Sequence, residues 1–256
     1  MTINKFVILG ERCSGTNFLE EAITQNFDIN YTSEYGNKHF FCFNKYTNDE
    51  NTLFIGIIRN PIYWLNSFSK ELHHIPNINK NLNNFLFNEF YSVLDIQNIK
   101  KNMLEFNILQ NSEIINPRDL NYSNGNKYKN IFELRKMKNN YLMNIMPHKV
   151  NNYILINYEN LLYNYEDTLN DIHIKFHLSK KNDTFIKIKN YKKSNTYNYK
   201  QQRIITFNNN LLHTIWNNLD TEQEKKLGYF KGDDNEFFKS PKVKANLLGF
   251  KFIKNL

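Results

Sequence analysis

The sequence predicts an α/β domain in which helices cover both faces of a parallel sheet. Three short apolar runs support this prediction, because each has the length and composition of a buried strand: Lys5–Leu9, Leu53–Ile58 and Tyr153–Asn157. Each run is followed by a stretch of helical character, and alternating strands and helices indicate a parallel sheet. One domain is expected over residues 1–256, with a core of about 5–230 and a C-terminal tail at 232–256.

Helices are predicted where apolar residues recur every three or four positions: Phe18–Ile23, the stretch opened by Pro61, Tyr165–Phe176, Phe207–Leu219 and Glu222–Leu227. Gly228 is the expected C-terminal stop of the last helix. The segment His73–Met146 is expected to be mostly helical, apart from a polar loop near Asn116–Lys129. Ser179–Gln202 is polar and weakly patterned, which is typical of a long surface loop.

The composition limits the function classes. The formal net charge of +8 attracts anions in general, such as nucleic acid, an acidic membrane surface or a phosphorylated cofactor. Two cysteines, Cys13 and Cys42, do not make a disulfide framework, so a reducing compartment is expected. We find no signal peptide and no apolar run of about 18 residues, which predicts a cytoplasmic protein without a membrane span.

The stretch Gly10–Asn17 lies between the first predicted strand and helix. Gly10 and Gly15 have the spacing of a P-loop, whose backbone N–H groups bind phosphate together with the N-terminus of the next helix. Thr16 occupies the place of the P-loop lysine, and the other predicted strands offer no convincing acidic end to hold Mg²⁺. The loop is therefore expected to bind a phosphate-type anion without a metal; the alternative is an ordinary turn between strand and helix.

A second group of polar residues follows the second predicted strand. Arg59 stands at the carboxyl end of that strand, where open α/β sheets bind ligands. Ser67 lies eight residues further on, about two turns along the helix that Pro61 opens. An arginine and a hydroxyl can together bind one phosphate monoester, the arginine through a forked and charge-assisted contact. The alternative is a surface arginine and an unrelated serine.

Taken together, these stretches resemble the sulfotransferase superfamily that uses 3'-phosphoadenosine 5'-phosphosulfate (PAPS). Gly10–Asn17 resembles the 5'-phosphosulfate loop in its G-E-R-x-S-G-T-N variant, and Arg59–Ser67 resembles the 3'-phosphate motif. Tyr153–Leu162 is similar to a late strand of the family, and Leu219–Tyr229 to its C-terminal helix. The four matches occur in the order of the family and span residues 6–229.

The resemblance implies a PAPS-dependent enzyme and assigns roles to particular positions. Cys13 takes the place of a lysine that many family members carry, and Arg12 is expected to supply the missing positive charge. Arg59 and Ser67 would bind the 3'-phosphate, and Tyr158 would approach the nucleotide from the third strand. The 5'-phosphosulfate would be held by the remaining residues of the loop: Arg12, Cys13, Ser14, Gly15, Thr16 and Asn17.

A basic pair follows the first helix, at a place where the family often carries its catalytic residues. His39 would be the general base, because the pKa of an unperturbed imidazole lies near neutrality. Lys38 and Arg12 would stabilise the leaving oxygen of the donor. Two alternatives stay open: Glu11 or the pair His73-His74 acts as the base, or His39 has only a structural role.

Two other functions compete with sulfuryl transfer. A P-loop kinase is disfavoured by Thr16 in the lysine position, and a nucleic-acid-binding protein is favoured only by the charge and the many tyrosines. The acceptor is expected to be a small molecule, a glycan or a peptide, and neither nucleic acid nor a membrane is an expected partner. Its pocket should come from His73–Tyr128 and from the loop after Ser179. The oligomeric state is left open.

Overall fold

A computed structural model of the protein describes residues 2–94, 113–188 and 206–232. Its strands are β1 (Lys5–Leu9), β2 (Asn30–Tyr31), β3 (Thr52–Ile58) and β4 (Tyr153–Asn157). They form a four-stranded parallel sheet in the order β2–β1–β3–β4. The predicted α/β fold and the three predicted strands are confirmed. The sequence did not predict β2, because two residues are too short for a recognisable apolar run.

Helices connect the strands and follow the last one. None within the described residues is long and apolar enough to cross a membrane. They are α1 (Thr16–Asn26), α2 (Pro61–Phe68), α3 (Leu82–Phe87), α4 (Ile131–Asn140), α5 (Met146–Lys149), α6 (Tyr158–Tyr163), α7 (Tyr165–Phe176), α8 (Asn209–Asn218) and α9 (Thr221–Lys226). Between α4 and α5 the helix continues as a π-helical segment, Tyr141–Ile145. Short 3₁₀ turns occur at Phe41–Phe43, Asn77–Asn79 and Pro117–Asp119.

The order of the strands creates a crevice at one edge of the sheet. The chain passes from β1 to β2 on one side and then crosses over to β3 on the other side of β1. Connections that leave two adjacent parallel strands in opposite directions separate at the carboxyl ends of those strands. The loop after β1 and Arg59 after β3 lie at this point, which is where open α/β sheets bind ligands.

Both faces of the sheet are covered, as the continuous apolar character of the strands requires. On one face Leu53, Ile55 and Ile57 of β3 belong to a buried cluster with side chains of α1 and α7. On the other face Phe54 and Ile58 belong to a second cluster, with side chains of α2, α4 and α8. The sheet therefore forms the rigid middle layer on which the loops at its carboxyl edge are positioned.

The described part of the segment His73–Met146 contains less helix than the sequence predicts. Within its described part, only α3 precedes the helix that starts at Ile131. Isolated bridges pair Phe90 with Tyr128 and Val93 with Ile115, so extended chain replaces helix there. The predicted polar loop near Asn116–Lys129 is present. Residues 95–112, the end of the predicted surface loop (189–202) and the tail (233–256) lie outside the described residues.

The last described helix is fixed against α4. Gly228 has a positive φ of 85°, and the backbone N–H groups of Gly228 and Tyr229 donate to carbonyls of α9, which ends the helix as predicted. Inside the core, the Arg135 guanidinium forms a forked contact with the carboxylate of Glu224, at 2.6 and 2.8 Å. Both side chains are almost fully buried, so each depends on the other for its charge.

Breaking this ion pair should destabilise the fold strongly. Glu224→Ala leaves a buried guanidinium without its carboxylate, so we expect the free energy of unfolding to fall by about 3–5 kcal/mol. The melting temperature should then fall by roughly 6–20 °C in calorimetry. Glu222→Ala is the matched control, since Glu222 is exposed and, among the described residues, pairs only with Lys225 of its own helix. Equal melting temperatures for the two variants would contradict this account.

Candidate functional site

The loop between β1 and α1 depends on its two glycines. A Cβ atom at Gly10 would lie 2.7 Å from the side chain of Ile57 and 2.8 Å from the carbonyl of the same residue. At Gly15 a Cβ atom would lie 2.2 Å from the ring of Tyr158, and φ there is +98°. No other residue fits either position without displacing the strand or the ring, so the loop packs closely onto the sheet.

The loop ends at the uncapped N-terminus of α1. Cys13 and Gly15 both have positive φ, and no side chain caps the helix. The first N–H groups of a helix have no partner within it, and together with the helix dipole they favour an anion. The Ser14 hydroxyl donates to the carbonyl of Glu11 at 2.6 Å and thereby stabilises the turn. This geometry suits the predicted contacts of Ser14, Gly15, Thr16 and Asn17; their binding of a phosphosulfate stays a prediction.

The structure brings the second motif onto the first. Arg59 Nη1 donates to the Ser67 hydroxyl at 3.1 Å and to the carbonyl of Cys13 at 3.0 Å. Asn60 caps α2 by accepting two backbone N–H bonds, so the helix that carries Ser67 starts where the sequence predicts. The Arg59 guanidinium also lies over the ring of Tyr158, 4.8 Å from its centroid. Tyr158 therefore contacts the loop and the arginine together.

Hydrogen bonds of Glu159 and Tyr229 stabilise this arrangement of Arg59 and Ser67. One carboxylate oxygen of Glu159 accepts the backbone N–H of Asn60 at 3.0 Å, and the other accepts the Tyr229 hydroxyl at 2.9 Å. Burial raises the pKa of Glu159, against the opposing effect of the Arg59 charge. Both residues lie inside longer motifs of the sequence, but the sequence did not indicate a role for either of them. Their function here is to connect the ends of β3 and β4 with the turn after α9.

Arg12 does not lie where we expected it. Its guanidinium is buried and donates to the carboxylates of Glu11 and Asp119 at 2.9 and 3.0 Å, and to the Ser92 hydroxyl at 2.8 Å. A fourth bond, at 3.3 Å, reaches the carbonyl of His73. The rings of Phe40, Phe68 and Phe90 surround the guanidinium. This geometry does not support a role for Arg12 at the leaving oxygen, because its hydrogen bonds are all directed into the protein.

Lys138 of α4 is a residue of this region that the sequence analysis missed. Its ammonium group contacts the carboxylates of Glu11 and Asp119, and it donates to the carbonyl of His39 at 2.9 Å. We call Glu11, Arg12, Asp119 and Lys138 the buried charge cluster. Burial by itself would raise the pKa of Glu11, but the charges of Lys138 and Arg12 lower it to about 2.

His39 and Lys38 lie beside the start of the loop. His39 Nδ1 contacts the carbonyl of Gly10 at 2.8 Å, so in the neutral ring Nδ1 carries the proton and Nε2 is the acceptor. Burial lowers the pKa of His39 from 6.5 to about 4, which keeps the ring neutral at physiological pH but makes it a weaker base than the near-neutral imidazole that the sequence led us to expect. Lys38 Nζ donates to Asn17 at 2.7 Å and to Glu20 at 3.1 Å, and thus lies against the first turns of α1.

The rival bases have less suitable surroundings. Glu11 is held by two cations, and a carboxylate with a pKa of about 2 is a very weak base. His74 has a positive φ of 63°, and its Nδ1 lies 2.9 Å from the carbonyl of Val93, in the chain after α2. The neighbouring His73 side chain is 84% exposed and contacts Glu71. Among the contacts of the described residues, His39 is the one of these three histidines whose ring contacts the backbone of the loop between β1 and α1.

Comparison with known proteins adds nothing to this geometry. No family model, curated protein or solved structure matches the chain. Within the described residues, no group of three or more His, Cys, Asp or Glu side chains could hold a metal ion. The interpretation of the site therefore depends on the residues themselves.

The lowered pKa of His39 should make stability depend on pH. Between pH 7 and pH 5 the unfolded chain takes up a proton at this ring while the folded protein does not, so stability falls as the pH falls. The free energy of unfolding should drop by about 1–2 kcal/mol more in the wild type than in His39→Asn, which has no imidazole to titrate. Urea denaturation of both proteins at the two pH values measures this difference. Equal losses would show that His39 titrates normally in the fold.

Proposed function

We propose that the protein is a sulfotransferase that uses PAPS as its sulfuryl donor. One observation carries the proposal: the Arg59–Ser67 pair is hydrogen-bonded and lies, with Tyr158, against the glycine loop at the carboxyl edge of the sheet. A nucleotide with phosphate groups at both its 5' and 3' positions needs two anion sites at a fixed separation. The contacts between the two motifs provide such a pair.

The residues present fit this nucleotide. The N–H groups at the start of α1 would bind the 5'-phosphosulfate, since no side chain caps that helix. Arg59 and Ser67 would bind the 3'-phosphate through a charge-assisted hydrogen bond and a hydroxyl. When bound, PAPS supplies the sulfuryl group that is transferred. Lys38, which contacts Asn17 of the loop, is the cation that we assign to the charge on the departing phosphate.

His39 would accept the proton of the acceptor hydroxyl. Its Nδ1–H is fixed by the carbonyl of Gly10, and this leaves Nε2 to take the proton as the acceptor oxygen bonds to sulfur. The bond between sulfur and the phosphate oxygen breaks in the same displacement, and the electron pair leaves with the bisphosphate. The acceptor, expected to be a small molecule, a glycan or a peptide, would approach from the side of His39.

The first test concerns recognition of the 3'-phosphate. Adenosine 3',5'-bisphosphate should bind the wild type about 10²-fold more tightly than AMP, because AMP lacks the phosphate for Arg59 and Ser67. Arg59→Ala should reduce the affinity for the bisphosphate by about the same factor and leave AMP binding unchanged. Arg118→Ala, at an exposed arginine, is the matched control. Equal calorimetric affinities of the wild type for the two nucleotides would contradict the proposal.

The second test compares the candidate bases. His39→Asn should lower turnover of PAPS by about 10²–10⁴-fold while bisphosphate binding is retained, since a general base contributes about this much. Activity of the wild type should persist to about pH 5 and fall near pH 4, where the ring takes up a proton. His148→Asn, at an exposed position, is the control. If His39→Asn is active and Glu11→Gln is inactive although folded, Glu11 is the base.

A further inference from the structure

A small cavity lies between the phosphate loop and α4, at the carboxyl ends of β1 and β3. Its lining includes Ser14 of the loop, Arg59 after β3 and Trp64 of α2. Three residues of α4 also line it, namely Arg135, Lys138 and Asn139. The cavity thus joins residues of both predicted phosphate-binding motifs to a helix that the sequence analysis did not connect with the site.

The spacing of these three α4 residues places them on one face of the helix, because positions three and four apart are neighbours there. Arg135 and Lys138 are paired with buried carboxylates. Asn139 is only 5% exposed, and its amide Nδ2 has no hydrogen-bond partner among the described residues. A second donor without a partner among the described residues is Nε of Arg59, a residue that also lines this cavity.

Two buried donors without partners are unusual, since folded proteins satisfy the great majority of such groups. Leaving one unsatisfied destabilises the fold, which a leucine at the same position would avoid. The polar groups of the cavity also indicate the charge of a ligand. Arg135, Lys138 and Glu11 are engaged in ion pairs with one another or with neighbouring residues, whereas Arg59 is a cation that forms no ion pair within the described residues. An anionic oxygen is the partner that suits both donors.

We propose that Asn139 is a ligand-binding residue, whose amide Nδ2 donates to an anionic oxygen of the bound nucleotide between Ser14 and Arg59. The oxygen belongs to a phosphoryl or a sulfuryl group, which present the same chemistry to an amide donor. The identity of the nucleotide follows from the proposed function, whereas the preference for an anion follows from the cavity itself. Through Asn139, α4 then belongs to the elements that bind the nucleotide.

Asn139→Leu tests this assignment, because leucine has a similar volume and no donor. We expect its affinity for adenosine 3',5'-bisphosphate or for PAPS to fall at least about tenfold, the equivalent of about 1.4 kcal/mol. Its melting temperature should stay the same or rise, since the variant removes an unsatisfied buried group. Asn144→Leu is the matched control, because Asn144 is exposed in the segment that continues α4. It should bind both nucleotides like the wild type.

The two nucleotides separate the two sources of the oxygen. Weaker binding of both by Asn139→Leu places the amide on a phosphate oxygen, and weaker binding of PAPS alone places it on the sulfuryl group. Unchanged affinity for both nucleotides overturns the proposal, whatever happens to the melting temperature. If the wild type binds neither nucleotide, the proposed function fails, and pyrophosphate becomes the probe. Weaker pyrophosphate binding by Asn139→Leu then still supports an anion site, whereas equal or absent binding overturns it.

Discussion

The buried charge cluster is the interaction on which the arrangement of this protein depends. Glu11 and Arg12 of the loop after β1 meet Asp119 and Lys138, which brings two carboxylates and two cations together, and all four residues are buried. Charges are expensive to remove from water, and such a group is tolerated only when every member has partners of good geometry. The cluster therefore fixes the positions of the loop, the Pro117–Asp119 turn and α4 relative to one another.

This cluster also determines which charges are available for chemistry. Arg12 and Lys138 use their hydrogen bonds inside the protein, so they hold the loop in place without facing a substrate. Arg59 and Lys38 are less buried and contact the loop and the first turns of α1. The cations of this region thus form two sets, one that supports the backbone from inside and one at the proposed anion site.

The sequence predicted the parts of the site that are local. Gly10 and Arg59 lie directly after strands, and Gly15 and Ser67 follow them closely in the chain. The strand ends of a parallel sheet meet at one edge, so the proximity of the two motifs follows from the fold class. The direction of the Arg12 side chain could not be predicted in this way. Its partners Ser92 and Asp119 are 80 and 107 residues away, and no pattern in the sequence connects them.

The role of α4 was hidden for a different reason. Lys138 and Asn139 belong to a helix whose polar residues look like an ordinary solvated face, and a polar residue in a sequence carries no sign of burial. Only the packing of this face against the loop reveals that they are inside. The same limitation applies to β2, whose two residues form a strand because β1 offers an edge, and not because of their own character.

The contacts behind the site have a consequence for how the protein acquires its shape during synthesis. The carboxylate that pairs with Arg135 lies 89 residues later in the chain, and the hydroxyl that donates to Glu159 lies 70 residues later. The ribosome releases the phosphate loop long before Glu224 and Tyr229 exist, and early segments begin to fold first. A nascent chain can therefore form the first strands and the loop, but Arg135 and Glu159 lack these partners until residue 229 has emerged. Substrate binding should be among the last properties that the growing polypeptide gains.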